Sequence, residues 1–146
     1  MPEGPTFVDT HVLLYAHDRA AGRRHHDAVQ VVDDLWAHRN GVLSTQILQE
    51  FYVNATRKLR PTISRADARD IVTDYATWRV HQVSMHDVLD ASVLAERHTL
   101  SFWDALVVVA AQQVGASILL SEDVQQTGTF GALTVRSPFT AAPPSP

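Results

Sequence analysis

Short β-prone runs separated by stretches long enough to form helices constrain this chain more than any other feature. Thr6-Phe7-Val8-Asp9, Val42-Leu43, residues 80–83, Ser117-Ile118-Leu119-Leu120 and a weaker run at 133–135 read as strands. Between them lie segments with helical spacing, clearest over 25–38, where Val29, Val32, Leu35 and Trp36 recur on one face. Strands joined through ten or more helical residues cannot form hairpins. They require right-handed crossovers, hence a largely parallel sheet covered on both faces.

Local signals punctuate this pattern. Asn40-Gly41 and Gly115 are stops, and Pro61 ends the helix that carries Ile47, Leu48, Phe51 and Tyr52. Ser64 with Asp67, Ser84 with Asp87, and Ser101 with Asp104 have capping-box spacing and predict three helix starts. The stretch from Thr10 to about Gly22 is mixed, and no helix plainly begins beside Asp9. With 146 residues, one domain over 1–138 is expected, long enough to bury a core without covalent staples. The segment 139–146 is Pro-rich and aperiodic, and reads as a flexible tail.

Composition removes several chemistries. There is no cysteine, so disulfides, thiolate nucleophiles and cysteine-bound zinc are excluded. Twelve Lys and Arg against sixteen Asp and Glu give a formal charge of −4, a poor balance for gripping duplex phosphates by bulk electrostatics. A nuclease is less affected, because bound metal ions reverse the local sign. Basic residues cluster at Arg19, Arg23 and Arg24, and again at Arg57, Lys58, Arg60, Arg65 and Arg69, where solvated helix surface is an equally good reading. The six glycines form no phosphate-cradling loop, and no serine sits in a glycine-spaced nucleophile elbow. The start of the chain lacks the pattern of a signal peptide, and the longest apolar stretch, 105–111, is too short to span a bilayer. A cytoplasmic protein with no membrane association is expected.

In open α/β sheets, ligands bind beyond the carboxyl ends of the strands, near a reversal of strand order. Four acids fall where that end should be. Asp9 ends the first strand, Asp123 follows the Ile118-Leu119-Leu120 strand, Glu50 lies in the second turn of its helix, and Asp104 lies in the first turn of its own. Each has a local explanation when taken singly. Asp104 has the spacing of a capping partner for Ser101, Asp123 that of a loop aspartate bonded to its own backbone, and Glu50 that of an exposed glutamate on an apolar helix. Their shared end is what singles them out. Four converging carboxylates repel one another unless a cation sits among them. An all-oxygen set without His or Cys suits Mg²⁺ or Mn²⁺ better than zinc. Such ions activate water and stabilise the leaving oxygen in phosphodiester hydrolysis.

The pieces Phe7-Val8-Asp9-Thr10-His11-Val12-Leu13-Leu14-Tyr15-Ala16, Ser44-Thr45-Gln46-Ile47-Leu48-Gln49-Glu50-Phe51, Ser101-Phe102-Trp103-Asp104-Ala105-Leu106 and Leu119-Leu120-Ser121-Glu122-Asp123 resemble the successive signatures of the PIN domain. They resemble most of all those of the VapC-type toxins of toxin–antitoxin pairs. The resemblance runs from Thr6 to about Val135 and implies a three-layer α/β/α sandwich with a central, mainly parallel sheet. It implies a Mg²⁺- or Mn²⁺-dependent endoribonuclease whose core acids are Asp9, Glu50 and Asp104, with Asp123 as the more variable fourth. Thr10 and Ser121 match supporting hydroxyl residues. A small antitoxin and a homodimer are the implied partners. The chain departs from the family pattern at His11, which stands where asparagine is usual and is assigned a supporting role.

Competing readings use the same residues differently. A PIN-type nuclease of RNA processing needs no antitoxin. A phosphatase of the aspartyl-phosphate kind would need Asp-x-Asp after the first strand and a downstream lysine, whereas His11 stands two residues after Asp9 and Lys58 is the sole lysine. A non-catalytic interaction module of the same fold would be expected to have lost an acid, and all four are present. The cheapest discriminator between toxin and processing nuclease is whether a short reading frame for a small DNA-binding protein precedes the gene.

Overall fold

The computed structural model describes residues 4–122, 124 and 128–139. Its elements in chain order are β1 (Thr6–Val8), α1 (Thr10–Ala16), α2 (Arg23–His38), β2 (Gly41–Ser44), α3 (Thr45–Arg57), α4 (Arg65–Tyr75), β3 (Arg79–His81), α5 (Met85–His98), α6 (Phe102–Gln113), β4 (Ile118–Leu120), β5 (Gly128–Phe130) and β6 (Leu133–Arg136). A 3-10 turn at Arg19–Ala21 joins α1 to α2.

The sheet order is β3-β2-β1-β4-β6-β5, parallel except for the antiparallel pairing of β5 with β6. The chain therefore starts in the middle, moves outward through β2 and β3, then crosses back to lay β4 on the other side of β1. Right-handed crossovers put the helices of the outward moves on one face and those of the return on the other. Accordingly α1 to α4 pack among themselves, and α5 packs with α6. The result is an α/β/α sandwich with a mainly parallel sheet, as the resemblance implied.

The core is centred on β1, whose Phe7 and Val8 are fully buried, and on Leu43, Ile47, Phe51 and Leu119 around it. Strand β1 is buried on both faces, which is why it reads as a continuous apolar run rather than an alternating one. Helix α6 is buried from Ala105 to Ala111, filling the space between the sheet and α5.

One expectation is overturned at the start of the chain. A helix does begin beside Asp9: α1 starts at Thr10, with Asp9 as its N-cap and the Asp9 carboxylate accepting from the Thr10 backbone amide at 2.7 Å. The helix has seven residues, too few for a recurring apolar period, so the cap is its principal sequence mark. Of the three predicted capping boxes, the one at Ser84 and Asp87 closes in both directions. At Ser64 and Ser101 the serine hydroxyl accepts from the N3 amide, at 3.1 Å in each case. The short antiparallel β5 has no counterpart in the sequence reading. Phe139 meets Tyr15 edge-on at 5.2 Å between ring centroids. The remainder of the tail expected at 139–146 lies outside the described residues. Among the described residues no helix is long and apolar enough to cross a membrane.

Candidate active site

Strand order reverses between β1 and β4, so the loops leaving their carboxyl ends diverge to opposite sides of the sheet. Asp9 and Ser121 are the first residues beyond those two strands. They meet in the crevice: Ser121 Oγ donates to Asp9 Oδ2 at 2.6 Å, and the Asp9 amide donates to Leu120 O at 3.0 Å. Both side chains are buried, Asp9 at 4% and Ser121 at 3% exposure. Ser121 Oγ also accepts from the Val124 amide at 3.2 Å, which ties the loop after β4 to the same point. With Thr10 N on Oδ1 and Ser121 on Oδ2, the Asp9 carboxylate is held at both oxygens.

Glu50 reaches this point from α3. Helix α3 starts at the Ser44 cap, where Ser44 Oγ accepts from Ile47 N at 3.4 Å, and Glu50 follows nearly two turns later. Thr10 Oγ1 donates to Glu50 Oε1 at 2.6 Å, so the residue next to Asp9 in sequence links it to Glu50 in space. The other oxygen, Oε2, lies 3.3 Å from Gln46 Nε2, which is also 3.3 Å from the carbonyl of Trp103. Trp103 immediately precedes Asp104. A hydrogen-bonded path thus runs from Ser121 through Asp9, Thr10, Glu50 and Gln46 to the first turn of α6, where Asp104 sits half-buried. Sequence reasoning had not singled out Gln46. Its spacing of four residues before Glu50 on a helix was the available signal.

The structure places the other expected residues less centrally or not at all. His11 is exposed on the first turn of α1, its ring centroid 6.5 Å from that of Tyr15. Asp123 lies outside the described residues. Among the described residues, no three acidic or histidine side chains stand close enough together to hold a metal ion between them. His25 is half-buried with Nδ1 2.8 Å from the carbonyl of Tyr15, while its neighbour His26 is exposed. At the rim, Glu122 accepts from Tyr15 OH and pairs with Arg24, whose guanidinium also lies over the Tyr15 and Phe139 rings. This pairing removes part of the first basic cluster from the pool of free phosphate contacts.

Beside Glu50 opens a shallow groove of about 340 Å³ lined by Gln46, Gln49, Glu50, Val53, Asn54 and Trp103. Trp103 is 61% exposed. An exposed indole next to a carboxylate-bearing crevice is suited to stack on an unpaired base.

The PIN domain profile matches residues 6–128. The chain belongs to the PIN domain family. Among solved structures, Mycobacterium tuberculosis VapC20, described as a sarcin-ricin loop cleaving toxin, is 24% identical with a TM-score of 0.63, covering 81% of this chain and 91% of that one. A toxin–antitoxin complex from Klebsiella pneumoniae matches at 18% identity and TM-score 0.66, over 92% of this chain and 98% of that one. FitAB bound to a DNA fragment matches at 15% identity and TM-score 0.67, over 96% and 99%. These likenesses establish the shared PIN fold. Among curated protein sequences none matches the chain.

In this PIN domain the candidate donors are all oxygen: the Asp9 and Glu50 carboxylates on the path, Asp104 in the first turn of α6, and a buried Gln46 amide oxygen without a hydrogen-bond partner among the described residues. That chemistry fits a hard divalent cation, which prefers carboxylate, carbonyl and water oxygens.

Proposed function

We infer that this PIN domain is a divalent-metal-dependent endoribonuclease acting as the toxin of a toxin–antitoxin pair. The observation that carries the reading is the path through Asp9, Thr10, Glu50 and Gln46 at the point where strand order reverses. It presents two oriented carboxylates, with Asp104 on the next helix start, at the rim where open α/β sheets bind ligands. Asp9, Glu50 and Asp104, with Asp123, would hold Mg²⁺ or Mn²⁺, and the ion would supply Lewis-acid activation of water and of the phosphodiester. The chain's own part is to fix the carboxylates through Thr10, Gln46 and Ser121, and to offer Trp103 as a stacking surface for an unpaired base. RNA is the favoured substrate because single-stranded bases can be splayed onto such a ring without melting a duplex.

The partners in this reading are a small antitoxin that covers the acidic crevice, and a second copy of the chain. Phe51 on α3 is fully buried in the core and cannot contribute to a dimer surface. The apolar residues that support a homodimer instead are Met85, Leu89 and Val93, exposed at four-residue intervals along α5. The test is incubation of the pure protein with a panel of structured RNAs in Mg²⁺, in Mn²⁺ and in chelator. Discrete cleavage that chelator abolishes is expected; metal-independent cleavage, or none with any RNA, would sink the enzymatic reading.

A further inference from the structure

Gln46 carries a polar group that the fold serves only in part. It stands in the first turn of α3, four residues before Glu50, and is 5% exposed. Its Nε2 faces two acceptors, Glu50 Oε2 and Trp103 O, each at 3.3 Å. The amide cannot be turned round, since exchanging nitrogen and oxygen would set an oxygen against two others. That orientation leaves Oε1 buried with no hydrogen-bond partner among the described residues.

A buried acceptor without a donor is a standing cost to the folded state, and two long hydrogen bonds recover only part of it. Methionine or leucine would fill the same space without an unpaired oxygen. Packing therefore gives no reason for an amide here, whereas donation does. Thr10 holds Glu50 Oε1, and Gln46 holds Oε2, so the carboxylate is fixed at both oxygens. Through the carbonyl of Trp103 the same amide ties α3 to the helix start that carries Asp104.

We propose that Gln46 is a positioning residue: it ties the Glu50 carboxylate to the start of α6, which carries Asp104, so as to orient Glu50 toward a hard divalent cation, and it does so at the expense of fold stability. This rests on reading the crevice as a metal site. Gln46 acts through Glu50 and need not touch the ion. Loss of such a partner to a ligating carboxylate typically weakens metal binding by about 10- to 100-fold.

The experiment compares wild type, Gln46→Met and Asp9→Asn as full chains, by calorimetric titration with Mn²⁺ and by thermal melting in chelator. Gln46→Met should melt at the same or a higher temperature than wild type without metal, yet bind Mn²⁺ about 10-fold more weakly, and Asp9→Asn should bind least. Unchanged Mn²⁺ affinity in Gln46→Met, whatever its melting temperature, makes Gln46 a packing residue and overturns the proposal. Wild type that binds no Mn²⁺, or binds it equally after Asp9→Asn, removes the metal reading of the crevice and this proposal with it. Should Gln46→Met fail to melt cooperatively, Gln46→Leu carries the same comparison.

Discussion

Ser121 Oγ sits 2.6 Å from Asp9 Oδ2, joining two residues 112 positions apart across the gap where β1 and β4 part company. Because Ser121 also receives the Val124 amide, one hydroxyl orients a carboxylate and anchors a loop at once. Ser121→Ala should therefore lower stability by about 1–2 kcal/mol, the scale of a buried hydrogen bond with a group left unpaired. It should also reduce RNA cleavage, read from denaturation curves and initial rates on one RNA that wild type cuts. Full activity in a destabilised variant would confine Ser121 to the loop.

Asp9→Asn separates the cap from the chemistry. Asparagine caps a helix about as well as aspartate, so α1 should remain formed. The side chain loses its charge and, in one orientation, an acceptor for Ser121. We expect a melting temperature in chelator within a few degrees of wild type, no Mn²⁺-induced stabilisation, and cleavage down by at least roughly 100-fold.

Thr10→Val keeps the shape of the side chain and removes the donor to Glu50 Oε1. Thr10→Ser keeps the donor and removes a methyl group. If Glu50 is held for metal binding, the valine variant should bind Mn²⁺ about 10-fold more weakly while the serine variant stays near wild type. Equal losses in both would point to packing at this buried position instead.

Trp103→Ala tests the stacking surface. Base–aromatic stacking is worth about 1–3 kcal/mol per base. The expected result is a KM for a single-stranded RNA raised by roughly 10-fold or more, with Mn²⁺ affinity unchanged. A fall in Mn²⁺ affinity instead would mean that the ring shapes the crevice rather than the substrate.

His17 supplies a pH prediction. Burial, helped by the charge of His25, lowers its pKa below the ordinary histidine value. Its Nε2 lies within hydrogen-bond distance, 2.8 Å, of Tyr75 OH, whose own pKa is raised by burial so that the phenol stays protonated. A base depressed in the folded state binds fewer protons there than in the unfolded chain. Stability is thus full above the unfolded value near 6.5 and declines as pH falls from there toward the folded value. His17→Gln should flatten that decline in denaturation measured between pH 7.5 and 5. An unchanged slope would assign the pH dependence to other groups.

How much of this was legible beforehand follows from how local each signal is. The strands at Thr6–Val8 and Ile118–Leu120 and the helix starts at Ser64, Ser84 and Ser101 are announced by residues within four positions of each other, and the sequence marks them well. Asp9 as the cap of α1 was missed because a two-turn helix repeats nothing. Strand β5 was missed because Gly128-Thr129-Phe130 takes its strand character from pairing with β6 rather than from its own composition. Gln46 was hidden for a different reason. Its importance lies in the contact with Trp103, 57 residues away, and no local pattern reports that.

The place of β1 in the sheet has a consequence for when the crevice is completed during synthesis of the chain. Strand β1 lies centrally in the sheet, and one of its two neighbours, β4, follows it in sequence only after β2 and β3. Strands β1, β2 and β3 can associate while translation continues, since synthesis proceeds from the N-terminus at only about 5–20 residues per second. Asp9 nevertheless lacks Ser121 until residue 121 has emerged. A nascent or prematurely terminated chain thus carries Asp9 and Glu50 on an open-edged half-sheet with no crevice between diverging loops. The crevice that we propose acts on RNA is in this way left incomplete until the β4 segment and Ser121 have emerged.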